Sequence, residues 1–227
     1  MAGDKARQRD RGHTVYLLAD GSKVPGVTTI TGVMNKPALV YWANNLGLQG
    51  IDSSKYVDAL AAAGTLAHYL VERTLLGAEP DQGYLDEFSR VDQDRAETGF
   101  IKFLDWMKGR EIELLGYEMQ LVSERHRFGG TCDVYALVNG VPTLIDIKTC
   151  KALYGTGDEK FTQLAGYQIL LEENGYQVAE SYILRIGRSE DEGFEYVRSD
   201  RAAIHKDRFL ICANLAEINY RLTGKRY

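Results

Sequence analysis

A chain of 227 residues with 44% apolar side chains has material for one sizeable core, and so for one domain rather than several. Its 27 basic and 32 acidic residues leave a net charge of −5, which argues against a broad nucleic-acid-coating surface but not against a local basic channel. No run approaches a membrane span or a secretory leader, and three widely spaced cysteines (Cys132, Cys150, Cys212) make no zinc or iron–sulfur pattern, so reduced thiols in a cytoplasmic protein are expected.

Residues 1–13 are polar and charged, with a basic cluster from Lys5 to Arg11, and read as a disordered arm ahead of a single domain spanning 14–227. Val15–Leu18 and Lys23–Thr29 bracket Asp20-Gly21 as a small hairpin. Pro37 opens a helix over Ala38–Leu48 whose stripe of Leu39, Trp42, Ala43 and Leu46 is expected to be core. The next helix, about 55–76, holds Gly64-Thr-Leu-Ala-His68-Tyr-Leu-Val-Glu72. His68 and Glu72 stand at i, i+4 and share a face, while Leu66, Leu70 and Leu76 supply apolar positions. By itself such a pair is more often a satisfied polar pair than a metal site. An acidic, turn-rich stretch from Glu79 to Asp94 leads to a helix near 96–108, with Phe100, Phe103, Leu104 and Met107 as core. Tyr117–Ser123 reads as a strand that sets Glu118, Gln120 and Val122 on one side. Arg125-His126-Arg127 follows in a turn, where a basic knot either meets phosphate or is simply solvated.

The most informative stretch runs from Gly129 to Lys148. Two β-rich runs flank Asn139-Gly140, the strongest short-range signal for a two-residue hairpin. With Val138 facing Val141, Asp133 faces Asp146 in a non-hydrogen-bonded pair, and Lys148 falls on their face two residues on; a bulge would break this register. Opposed carboxylates repel, so a cation is needed. It is either a divalent metal, for which two carboxylates and water suit Mg²⁺ or Mn²⁺, or Lys148 with a nearby arginine. Val134, Ala136, Val138, Ile145 and Ile147 make one apolar face and Tyr135, Leu137 and Leu144 the other, so the hairpin is expected to be covered on both sides. Cys132 is expected to point away from Asp133 into the core. Beyond Lys151 and a Gly155-Thr-Gly157 link, a helix over about 160–173 sets Gln163 and Tyr167 on one face, with Phe161, Leu164 and Leu170 or Leu171 inward. Gly175 ends it. Strands at 178–186 and 194–197 precede a helix at 201–222 with a buried stripe of Ile204, Phe209, Leu210, Leu215 and Ile218. There is no Gly-rich phosphate loop, so ATP use would need a partner.

Gly-x-x-Asp, a short hairpin and Asp-x-Lys resemble the core of the PD-(D/E)xK nuclease superfamily. Gly-Thr-x-x-His-x-x-x-Glu and Gln-x-x-x-Tyr resemble the motifs of its RecB-like branch. Pro25-Gly-Val-Thr-Thr-Ile-Thr with Leu39 and Trp42 is similar to the opening of phage and mitochondrial exonucleases of that branch. The resemblance covers roughly 25–186. It departs in lacking the literal Pro-Asp dipeptide, common in this branch, and the four cysteines of the iron–sulfur subgroup. It implies an α/β fold with a restriction-endonuclease-like core, a central mixed β-sheet flanked by helices on both faces. It implies a metal-dependent DNA exonuclease of recombination, repair or phage DNA metabolism, in the host cytoplasm if phage-encoded, with DNA and a recombination or helicase protein as partners and no membrane. One or two Mg²⁺ or Mn²⁺ ions would be held by His68, Asp133, Asp146 and the Ile147 carbonyl. Lys148 would orient or deprotonate water, Gln163 and Tyr167 would position substrate or support Lys148, and Glu72 and Glu118 would assist. Arg125, Arg127, Lys151 and Lys160 are the candidates for DNA contact. An endonuclease of the same superfamily and a non-catalytic DNA-binding module are the alternatives.

Overall fold

The computed structural model describes residues 14–34, 36–151, 153, 158–187, 189 and 192–224. The arm expected at 1–13 and the link at 155–157 lie outside these. A two-stranded ribbon, β1 (Tyr16–Leu17) and β2 (Lys23–Val24), leads to α1 (Val27–Thr31), α2 (Pro37–Leu48), α3 (Ser53–Leu75), α4 (Gln82–Leu85) and α5 (Arg90–Met107). Then come β3 (Ile112–Ser123), β4 (Phe128–Val138), β5 (Val141–Thr149), α6 (Asp158–Glu173), β6 (Glu180–Ile186), β7 (Phe194–Arg198) and α7 (Ala202–Thr223).

The main sheet has the order β3-β4-β5-β6-β7, antiparallel throughout except for the parallel β5–β6 pair. Parallel neighbours need a crossover, and α6 provides it. The sheet is therefore mixed, and helices cover both faces, as expected of the α/β fold. On one face Val71 of α3 and Phe103 and Trp106 of α5 pack on Val134, Ala136, Ile145, Ile147 and Leu184. On the other, Val27 and Ile30 of α1, Leu164 and Leu170 of α6 and Phe209 of α7 pack on Tyr135, Leu144 and Ile183. Two of the long helices open on side-chain caps: the Asp52 carboxylate accepts from the Ser54 and Lys55 amides, and the Ser89 hydroxyl accepts from the Asp92 amide. Among the described residues no helix is long and apolar enough to cross a membrane.

The hairpin turns at Asn139 (φ 51°) and Gly140 (φ 78°), two left-handed residues in succession, and holds its register from Val138↔Val141 to Val134↔Ile145. Three amphipathic readings need correction. Leu39 of α2 is exposed, because α2 leaves the body and rests mainly on α3; only Leu46 of its expected stripe is buried. Leu76 caps the end of α3 and is also exposed. On α7, Ile204, Leu215 and Ile218 face outward, because the inward face is His205, Phe209 and Cys212, with Leu210, Ala213 and Ala216 beside it.

Candidate active site

The site forms where β4 and β5 part. A regular ladder would next pair Cys132 with Ile147 through hydrogen bonds, but pairing ends at Val134↔Ile145. The Ile147 amide donates instead to Asp133 Oδ2 at 2.9 Å, so a side chain stands in for the missing backbone acceptor. On the other side of β4 the register keeps one offset from Tyr117↔Val134 to Met119↔Cys132, with Glu118, whose φ of 43° is left-handed, opposite Asp133 between them; the bulge of this pair lies earlier, between Leu114 and Gly116. Asp133 thus has no ladder partner on β5. The break also shifts Cys132: it lies in the α6-side core with Tyr135, not with Val134, and its Sγ approaches the Tyr167 carbonyl at 3.9 Å. Cys132 is buried as expected, but close enough to Asp133 for that charge to help push its thiol up, after burial itself.

Asp146 is almost wholly buried, and Lys148 turns back onto it. Nζ donates to Oδ1 at 2.8 Å and lies 2.7 Å from Oδ2. The second approach is too oblique for a hydrogen bond, which leaves Oδ2 buried without a donor. Burial pushes both Asp133 and Asp146 above the usual carboxylate range, against the pull of the Lys148 ammonium; Glu118 adds to the rise of Asp133, and Asp133 to that of Asp146. For Lys148 the balance runs the other way. Burial alone would lower it, but the two acids hold it raised and charged.

His68 reaches the same place from α3. Burial, then the Lys148 ammonium, push its imidazole down to about 4, with Asp146, Glu118 and the Ile147 backbone pulling upward. It is therefore neutral at neutral pH, the form that ligates metals. Gly64, one turn earlier, faces Thr149, next to Lys148 in sequence: a Cβ there would sit 3.4 Å from Thr149 Cβ, in ordinary van der Waals contact. From α6, Gln163 Nε2 donates to the Tyr167 hydroxyl at 2.9 Å, both groups buried. Burial first, then the Asp146 charge, raise the Tyr167 phenol. His68, Glu118, Asp133, Asp146, Ile147, Lys148, Gln163 and Tyr167 are thereby brought to one place. Glu72 is half-buried one turn beyond His68.

The four expected DNA contacts are more scattered. Arg125 and Arg127 lie in the exposed β3–β4 turn, eight and six residues before Asp133, which at strand rise puts Arg127 about 20 Å away. Arg127 lies 3.9 Å from Asp20 Oδ2. Lys151 is exposed just past β5, and Lys160 sits in the first turn of α6, on the same side as Gln163.

One residue escaped sequence reasoning. Arg185 of β6 is buried beside Lys148 in the sheet register. Its Nη1 donates to the carbonyls of Cys150 (3.1 Å), Lys151 (3.0 Å) and Glu192 (2.7 Å), and its Nε to Glu195 Oε2 at 2.6 Å. It ties down the segment that follows Lys148. The signal was an arginine inside the apolar run Tyr-Ile-Leu-Arg-Ile, a charge that burial permits only with partners.

The donor set is chemically suited to a hard divalent cation: two carboxylates, one with an undonated buried oxygen, a neutral imidazole and a backbone carbonyl. Among the described residues no three His, Cys, Asp or Glu side chains are already spaced as a ligand set. The Lys148 ammonium lies against the Asp146 carboxylate.

No protein-family model and no curated protein matches the chain. Among solved structures it is similar to a candidate exonuclease from Eubacterium rectale, at 16% identity and TM-score 0.44 over 67% of this chain and 68% of that one. It is also similar to LHK-Exo in complex with dAMP, at 14% identity and TM-score 0.35 over 88% and 93%. Likeness this distant adds no weight, and the reading of the site rests on its own geometry.

Proposed function

We propose that the chain is a metal-dependent deoxyribonuclease of the RecB-like PD-(D/E)xK type, acting as an exonuclease in recombination, repair or phage DNA metabolism. One observation carries the metal reading. Among the described residues the two buried carboxylates of Asp133 and Asp146 share one ammonium, that of Lys148. One positive charge does not match two carboxylates, and burial already disfavours the charged form of both. A divalent cation supplies the missing charge.

Asp133, Asp146, His68 and the Ile147 carbonyl would hold one or two Mg²⁺ or Mn²⁺ ions. Such an ion polarises a phosphodiester and acidifies bound water. The rest is the work of side chains. Lys148, no longer needed to neutralise Asp146, is placed to hold the attacking water and to offset charge developing on the phosphate. Tyr167, its phenol kept protonated by burial and oriented by the amide of Gln163, offers a fixed donor to the substrate backbone or to Lys148. Lys160, Lys151, Arg125 and Arg127 contact flanking phosphates. The exonuclease assignment rests on the resemblance of the His68 and Gln163–Tyr167 motifs to those of the RecB-like branch.

The test uses end-labelled linear duplex, end-labelled single strand and closed circular DNA with Mg²⁺ or Mn²⁺, and Asp146→Ala and Lys148→Ala as controls. Loss of nucleotides from an end, with the circle spared and both variants inactive, is expected. Cutting of the circle would replace exonuclease by endonuclease. An active Lys148→Ala enzyme would remove the mechanism, and no cleavage despite metal binding would leave a binding module.

A further inference from the structure

α7 carries two apolar stripes. The inner one, His205, Phe209, Cys212 and Ala216, packs on the sheet side of the molecule. The outer one, Ile204, Ile211, Leu215, Ile218 and Leu222, is between 44% and 79% exposed. With Arg208 the outer set recurs at spacings of 4-3-4-3-4, the heptad pattern of a helix that packs on another helix. It extends about 27 Å along the axis. Among the described residues, then, α7 is apolar on two sides and covered on one.

We propose that this face pairs with the same face of a second copy, the two α7 helices running antiparallel across a two-fold axis beside Asn214. The charges flanking the seam select this arrangement. Asp207, Asn214 and Arg221 are exposed, seven residues apart, along one edge. In the antiparallel pair, Asp207 of each copy falls opposite Arg221 of the other, so two ion pairs form by symmetry and Asn214 meets itself. A parallel pair would set this edge against Cys212 and Asn219 and gain no charge pair. Arg221 already lies 3.7 Å from Glu217, but both are exposed, so that contact is weak and compatible with a second partner. Burying the stripe twice brings the contact to the low end of specific interfaces, about 1,200 Å² in all, and so to a dimer that dissociates on dilution.

The inference is independent of the nuclease reading, because its readout is mass rather than cleavage. Sedimentation velocity on the full chain, from micromolar to several hundred micromolar, should show the mass doubling as concentration rises. Ile211→Lys should remain monomeric throughout. Asp207→Arg and Arg221→Asp should each weaken the dimer about tenfold, through two lost pairs of roughly 0.7 kcal/mol each. Since all three positions are exposed, unchanged circular dichroism is expected of every variant. An equimolar mixture of the two charge variants should recover association, because only their heterodimer restores both pairs. The double variant should recover it alone. A wild-type chain that stays monomeric overturns the proposal, as does a mixture that associates no better than its components; the latter would assign the stripe to a different protein.

Discussion

Replacing Arg185 by methionine should reveal how far the site depends on a residue that touches no substrate. The guanidinium is 4% exposed and donates to three carbonyls and one carboxylate. Hydrogen bonds from a charged donor contribute about 1.5–3 kcal/mol each, so the three carbonyl bonds alone suggest well over 4 kcal/mol. Two effects reduce this. Lys151 is exposed, so its carbonyl can be hydrated once the arginine is gone, and a methionine avoids the cost of burying a guanidinium, several kcal/mol. A net loss of about 2–4 kcal/mol remains, which for a chain of this length lowers Tm by roughly 5–15 °C. Two of the three carbonyls released belong to the residues that follow Thr149, so Lys148 loses part of its downstream anchor. Cleavage well below the new Tm should therefore fall about tenfold in kcat, with less change in KM, beyond any loss of folded protein. Arg185→Lys, which keeps the charge but not the fork of donors, should recover little. Thermal melting paired with steady-state kinetics at low temperature checks both parts. A Tm within about 2 °C of wild type would refute the stability argument, and an unchanged kcat would separate Arg185 from the site.

His68 gives a pH signature in metal-free buffer. Its folded value of about 4 lies below the ordinary imidazole value of 6.5, so the folded state binds fewer protons between them and loses stability as pH falls through that window. Allowing for partial exposure of the ring, the wild type should lose about 2–3 kcal/mol relative to His68→Gln between pH 7 and pH 4. The raised values of Asp133 and Asp146 act oppositely, adding stability as pH falls, and are common to both proteins. Parallel denaturation curves at every pH would show that the imidazole is not desolvated. Gly130→Ala should be costly for a packing reason: its Cβ would lie 2.8 Å from Leu170, 2.9 Å from Val27 and 3.0 Å from Tyr167. Overpacking against three side chains costs about 1–3 kcal/mol and displaces Tyr167, so both the denaturant midpoint and the cleavage rate should drop. A variant as stable and active as wild type would mean that α6 can move away freely.

What the sequence made legible was local. Asn139-Gly140 permits few turns other than the one found, and the turn sets the register of both strands, so the neighbourhood of Asp133, Asp146 and Lys148 follows from counting. Gln163 and Tyr167 follow from helical spacing in the same way. What counting could not give was the parting of β4 from β5, where Asp133 captures the Ile147 amide and Glu118 on a third strand takes a left-handed φ. Both are tertiary choices with no local signal. α7 shows a different limit. Its apolar residues fall on two stripes about a quarter-turn apart, and periodicity identifies the stripes without saying which one the sheet covers. The stripe read as core mixed members of both: Phe209 and Leu210 from the buried side, Ile204, Leu215 and Ile218 from the open one. A single monomeric core has no use for the second stripe, and leaving five large aliphatic side chains in water opposes the solubility of an isolated chain. Their retention in heptad register, beside charges that match their own two-fold image, is most simply explained if the folded unit is completed by a second copy of itself.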